Sequence, residues 1–225
     1  MLRDVRSNVT DGLLGFATAT GDGLHIKIGV SPSVTEKPIT ILGSMGASTI
    51  KSKLGLSPLA GVPMGTRAGD IDTCVAQFIM NKYNMTADEC LTMLNKKSGV
   101  LALSNGVSSD FRDLEAGANK GDEACQLALD KFCYEVRKYI GAYAAALGGL
   151  DCLVFTAGVG ENGCTNRAAI CEGLEFLGVK LDPERNKVRG EEALISADDS
   201  RVKVWVIPTN EELMIAQDTA ALCGK

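Results

Sequence analysis

The sharpest chemical feature of this 225-residue chain is Phe155-Thr156-Ala157-Gly158-Val159-Gly160-Glu161-Asn162-Gly163, which follows the apolar run Cys152-Leu153-Val154. Glycines after a buried strand let the backbone approach a ligand without Cβ clashes. A helix starting just beyond offers N–H groups and a positive dipole end to phosphate or ribose. Such turns lie at the carboxyl ends of strands, where α/β sheets bind ligands. The same residues also make a tight connection that holds nothing. Gly158, Gly160 and Gly163 satisfy the dinucleotide pattern G-x-G-x-x-G, with Asp182 near the position of a ribose-binding acid. The strand that must precede Asp182 is short, however, and Pro183 follows at once.

The elements that position this turn are readable from periodicity. Residues 13–30 predict a hairpin in which Leu24, Ile26 and Ile28 alternate with His25 and Lys27. A polar connector covers 31–38, and a short apolar run with glycines follows at 39–47. Residues 70–83 predict a core-facing helix carrying Ile71, Val75, Phe78 and Ile79 on one face. Thr86 and Glu89 have the spacing of a capping box for a second helix, which Gly99 should end. The longest helix spans about 122–147, carries Leu127, Phe132, Val136, Ile140 and Tyr143, and closes at Gly148-Gly149. The period then changes. Residues 152–155 form a continuous apolar run, as in a central strand buried on both faces. A helix over 165–177, a strand over 202–207 and a last helix from near Asn210 complete the chain. Strand, glycine turn, helix, strand and helix predict an α/β fold, a mixed sheet flanked by helices.

Composition narrows the function classes. A hydrophobic content of 45% with 23% charged residues describes a globular chain able to bury a core. The formal charge of −5 argues against a nucleic-acid partner, which would want a basic face. No apolar stretch approaches the roughly 20 residues needed to span a bilayer, and residues 1–6 lack the apolar core of a signal peptide. A cytoplasmic protein without a membrane partner is expected. The 8 cysteines include no Cys-x-x-Cys pair and read as small buried hydrophobes in a reducing compartment. With 1 histidine and no cysteine cluster, no zinc site is expected.

Four segments, in order, resemble the acetate kinase family. Met64-Gly65-Thr66-Arg67-Ala68-Gly69-Asp70-Ile71-Asp72 looks like its Met-Gly-Thr-Arg-Ser-Gly-Asp-x-Asp segment, differing at Ala68. Gly106 to Asp113 contains Ser108-Ser109-Asp110-Phe111-Arg112 and is similar to its Ser-x-Asp-x-Arg segment. Phe155 to Asn162 looks like its adenosine motif, and Pro208-Thr209-Asn210-Glu211-Glu212-Leu213 resembles its C-terminal Thr-Asn-Glu-Glu segment. The resemblance covers roughly residues 54–223. It implies the second lobe of a two-lobed, actin-like (ribonuclease H-like) ATPase fold. It also implies ATP:acetate phosphotransfer with ATP/ADP and Mg²⁺ as cofactors, and a small carboxylate or acyl phosphate as the other substrate.

The resemblance further implies the roles of individual residues. Arg67 would be a substrate-side guanidinium bridging carboxylate and phosphoryl oxygens, its alternative being a surface ion pair with Asp70 or Asp72. Asp110 and Arg112 would contact nucleotide, with Phe111 beside the base; without the family, Asp110 is simply the N-cap of a helix over 111–118. Gly158, Val159, Gly160 and Asn162 would line the adenosine pocket. Glu211 would hold Mg²⁺ through water, or favour the dipole of its helix as a first-turn glutamate.

Residues 1–40 do not resemble the family, so a boundary is expected between this hairpin segment and a lobe over 41–225. The nearest match to the family's second phosphate motif, Ile41-Leu42-Gly43-Ser44-Met45-Gly46-Ala47-Ser48, lacks its histidine and carries an insertion. The hairpin is expected to pair with the sheet in place of missing strands, burying Ile26. The partners implied are a missing N-terminal lobe or a second copy of the chain. The alternative reading is a catalytically incomplete lobe that binds nucleotide or a protein partner.

Overall fold

The computed structural model describes residues 14–20, 23–28 and 59–224. The side chains of residues 14–28, among them His25 and Ile26, and the segment 41–48 lie outside the described residues. The chain divides into two compact units, one of Leu54–Lys138 and the other of Met1–Lys53 with Tyr139–Lys225.

The unit over 54–138 is helical. It contains α1 (Thr73–Tyr83), α2 (Ala87–Lys96), α3 (Gly99–Leu103), α4 (Phe111–Ala118) and the first part of α5 (Glu123–Leu147). The capping box is formed: Thr86 Oγ1 accepts from Glu89 N at 3.3 Å, and Glu89 Oε2 accepts from Thr86 N at 2.8 Å. Leu94, Val100, Leu114, Phe132 and Val136 are buried and form this unit's core.

Two expectations fail here. None of α1 is buried, and Val75 and Phe78 on its apolar face are 44% and 62% exposed. Periodicity states that a face is apolar, and not that something covers it. Gly99 does not end α2, which stops at Lys96; it opens α3 with φ +64. The cause is proximity, since a Cβ at 99 would stand 2.1 Å from Met64 O and 2.7 Å from Arg67 O.

The other unit is built on a mixed sheet. β1 (Leu14–Thr20), β2 (Gly23–Ile28), β3 (Cys152–Phe155), β4 (Ala193–Leu194) and β5 (Lys203–Val206) run in the order β2-β1-β3-β5-β4. β3 is central, antiparallel to β1 and parallel to β5, so that Phe155 pairs with Leu14 on one side and Val206 on the other. All four β3 residues are buried, as the unbroken apolar run predicts for a strand covered on both faces. The expected hairpin is present in the backbone and joins the sheet through β1. α6 (Ala157–Asn162) and α7 (Cys164–Cys171) follow β3, and α8 (Glu211–Leu222) follows β5. The helix expected over 165–177 is thus displaced: the glycine turn is itself helical, and α7 stops at Cys171. Gly163 permits this junction, because a Cβ there would lie 2.7 Å from Val159 O and 2.8 Å from Asn166 Nδ2. Among the described residues, no helix is long and apolar enough to cross a membrane.

The two kinds of glycine constraint can be separated experimentally. Gly121 has φ +89 and open space around a Cβ, so Gly121→Ala should cost about 1–2 kcal/mol for the left-handed backbone alone. Gly99→Ala adds the overlap with Met64 O and should lower the urea midpoint clearly further. Equal losses would show that the 64–67 loop moves aside freely.

Candidate functional site

The carboxyl ends of the parallel strands β3 and β5 carry two of the four segments. Thr156 leaves β3 fully buried, and its Oγ1 has no hydrogen-bond partner. Ala157 adopts φ +58, a conformation that a residue with a Cβ holds only when its surroundings over-determine it, and one common at functional turns. Gly158 is exposed and a Cβ there would meet nothing within 4 Å, so the backbone is open to approach. Val159 is half-buried and Gly160 buried, while the exposed Asn162 donates from Nδ2 to Gly158 O at 3.1 Å.

Beneath this turn lies a residue that sequence reasoning passed over. Arg167, on α7, is fully buried. Its Nη1 donates to Gly160 O at 2.8 Å and Glu161 O at 2.9 Å. Nε donates to Asn186 Oδ1 at 2.8 Å, and Nη2 to Asn186 O at 2.6 Å and Val188 O at 2.7 Å. Burial pulls its pKa below the usual arginine value. The one sequence signal was its spacing, three residues before the buried Ile170 and four before the buried Cys171. Glu161 and Thr209 were also missed. Glu161 Oε1 accepts from Thr209 N at 2.7 Å and from Thr209 Oγ1 at 2.9 Å. A contact across 48 positions leaves no periodic trace.

Glu211 opens α8, and Asn210 Oδ1 caps it by accepting from Leu213 N at 3.0 Å. No group of three or more His, Cys, Asp or Glu among the described residues could hold a metal ion. Asp182, the acid of the dinucleotide fingerprint, accepts from the amides of Glu184 and Arg185 at 2.8 and 3.0 Å. Val179 and Leu181 before it make only isolated bridges. The strand and free acid that a Rossmann reading needs are therefore not formed.

Arg67, Asp110, Phe111 and Arg112 belong to the helical unit. Arg67 is half-buried on a loop fastened to the ends of α2 and α3. Val100 N donates to Met64 O, Leu101 N to Gly65 O, Ser98 N to Thr66 O and Ala68 N to Leu94 O. Its Nη1 lies 3.6 Å from Met64 Sδ. Asp70 accepts from Gly61 N and Asp72 from Cys74 N, each at 2.8 Å. Asp110 is the N-cap of α4, accepting from Arg112 N at 2.9 Å, and it also pairs with the Arg112 side chain. The Phe111 ring meets Phe132 edge-on, centroids 4.6 Å apart.

The arrangement is an α/β lobe with a glycine-rich turn at the carboxyl end of its central strand. The Acetokinase family model matches residues 40–217, and the chain belongs to that family. It is 61% identical over 176 residues to an acetate kinase of Bacteroides fragilis, covering 78% of this chain and 44% of the relative. An acetate kinase of Dictyoglomus turgidum is 56% identical over 186 residues, 83% of this chain and 46% of the relative. The crystal structure of Porphyromonas gingivalis acetate kinase superposes with a TM-score of 0.71 at 47% identity, covering 75% of this chain and 42% of that one. A propionate kinase from Francisella tularensis gives 0.67 at 40% identity, covering 73% and 41%. The fold is accordingly part of the actin-like ATPase fold of these enzymes, and the chain spans less than half the length of the curated relatives it matches.

The Asp110–Arg112 pair has a measurable signature. Hydrogen bonds from the Arg112 side chain, then from its backbone amide, hold the Asp110 carboxyl at about 2. The folded state thus favours the ionised form. Its contribution to α4 is complete above the ordinary value of about 4 and is lost as pH falls toward 2. Carboxyl-carbon NMR titration should find a midpoint near 2, shifted upward in Arg112→Gln. An ordinary midpoint in the parent chain would remove the pair.

Proposed function

We propose that this chain forms the nucleotide-binding half of an acetate kinase, moving a phosphoryl group between ATP and a short carboxylate. The observation that carries the reading is the meeting of two family segments at the carboxyl ends of β3 and β5, joined by the Glu161–Thr209 hydrogen bonds. In the forward direction a carboxylate oxygen of acetate bonds to the γ-phosphorus, the bond to the β–γ bridging oxygen breaks, and ADP leaves with that electron pair. Both reactants are anions, so catalysis is mainly charge neutralisation and positioning.

Arg67 supplies a guanidinium on the substrate side, and the rigid loop under it supports that role. Asp110, Phe111 and Arg112 contact the nucleotide. Gly158, Val159, Gly160 and Asn162 line the adenosine pocket, a reading supported by the open approach at Gly158. Glu211, whose backbone opens α8 and whose side chain lies outside the described residues, is proposed as one carboxylate for a hydrated Mg²⁺ that takes its remaining ligands from water and phosphate. When bound, that ion would neutralise charge between the phosphates. The partner required is the rest of an acetokinase, or a second copy of the chain. The exposed Val75 and Phe78 of α1 and Leu213 and Ile215 of α8 are apolar surface available to one. None of the 8 cysteines forms a disulfide, which suits the cytoplasm.

Calorimetry on the 225-residue chain should detect Mg·ADP binding and no NAD binding. Gly158→Val should abolish the former by filling the open approach, with the fold intact by circular dichroism. NAD binding without adenine-nucleotide binding would overturn the reading.

Acetyl phosphate formation by this chain alone should stay at the uncatalysed background, because one half of a site cannot enclose the γ-phosphate or exclude water. A turnover of roughly 1–10³ per second, abolished by Arg67→Ala, would overturn the half-site reading.

A further inference from the structure

We propose that Glu161 is a positioning residue whose carboxylate holds the start of α8, and with it the backbone of Glu211, at a fixed place relative to the glycine-rich turn. The consequence for metal and nucleotide rests on the function proposed above; the hold itself rests on geometry alone.

The sheet ladder explains why a hold is needed. Ile207 N donates to Phe155 O at 2.9 Å, the last rung between the chain leaving β5 and β3. Pro208 has no N–H to offer. Thr209 therefore carries the first donors beyond the sheet, and both its amide and its hydroxyl end on Glu161 Oε1, at 2.7 and 2.9 Å. Asn210 then caps α8. Glu161 is in turn fixed from its own side. Its carbonyl accepts from Arg167 Nη1 at 2.9 Å and from Gly190 N at 3.3 Å, and Arg167 is fully buried. The brace runs from a buried guanidinium through the backbone of Glu161, out along its side chain, to the residue two before Glu211. A charged acceptor makes stronger hydrogen bonds than a neutral one, and a carboxylate beside a helix N-terminus is favoured by the dipole. Anything bound on the turn and anything held by α8 would then sit at a spacing that Glu161 determines.

The test compares the full 225-residue chain with Glu161→Ala and Glu161→Gln, the latter keeping an acceptor oxygen. Amide hydrogen exchange is read without ligand, and ADP affinity is read by calorimetry with and without Mg²⁺. In Glu161→Ala, the Thr209 amide should exchange about tenfold faster while amides of β3 and α7 keep their protection. The gain in ADP affinity on adding Mg²⁺ should fall by a similar factor, with metal-free ADP affinity nearly unchanged. Glu161→Gln should restore most of both. Unchanged Thr209 exchange in Glu161→Ala overturns the hold. Loss of protection throughout β3 and α7, or an equal loss of ADP affinity with and without Mg²⁺, overturns a positioning role in favour of general damage. A full Mg²⁺ gain retained in Glu161→Ala overturns the metal-side consequence. If the parent chain binds no ADP while Thr209 exchange responds as expected, the hold stands and the nucleotide reading falls.

Discussion

The guanidinium of Arg167 is the constraint on which the turn after β3 depends. An arginine with no exposure retains its charge only if every N–H finds an acceptor, because an unpaired buried charge is too costly to keep. Here the acceptors are all neutral: the carbonyls of Gly160, Glu161, Asn186 and Val188, and the Asn186 side-chain oxygen. Two of these carbonyls lie near the end of α6, where unsatisfied backbone oxygens and the helix dipole favour a cation. The planar fork dictates where those oxygens stand, and hence where α6 ends against residues 186–188. A lysine could carry the charge but not fix that many directions at once.

Around this fixed point the chain relies on close backbone approach. Gly163 lets α6 abut α7, and Gly99 lets the Arg67 loop press on the start of α3. Both glycines serve contact within the protein, whereas Gly158 faces open space. Gly158 and Gly163 of the fingerprint therefore have different physical duties: the first leaves the backbone open to approach, and the last permits a close junction between two helices.

The function proposed for this acetokinase-family chain would give these features a common purpose. Transfer of a phosphoryl group between two anions demands cationic groups, an ordered nucleotide and little freedom among them. On the function proposed above, a half-buried arginine on a fastened loop, a capped acidic–basic pair on α4 and a braced turn after β3 would be the parts of that demand carried by a chain spanning 44% of the Bacteroides fragilis relative.

The sequence by itself determined the elements whose causes are local. The β3 run, the Thr86–Glu89 capping box, the Asp110 cap and the long α5 were all legible, because period, capping chemistry and apolar continuity act over a few residues. The family was legible for the same reason, since each of its segments is short and contiguous. Only tertiary structure decided the rest. The apolar face of α1 is left exposed in its own unit, Gly99 begins a helix where it was expected to end one, and the glycine turn is wound into α6. The Arg167 clamp joins residues 6 to 21 positions apart, and the Glu161–Thr209 contact joins residues 48 apart. Their partners are chosen by which carbonyls and donors the folded backbone brings within hydrogen-bond reach, and no pattern along the chain encodes that distance.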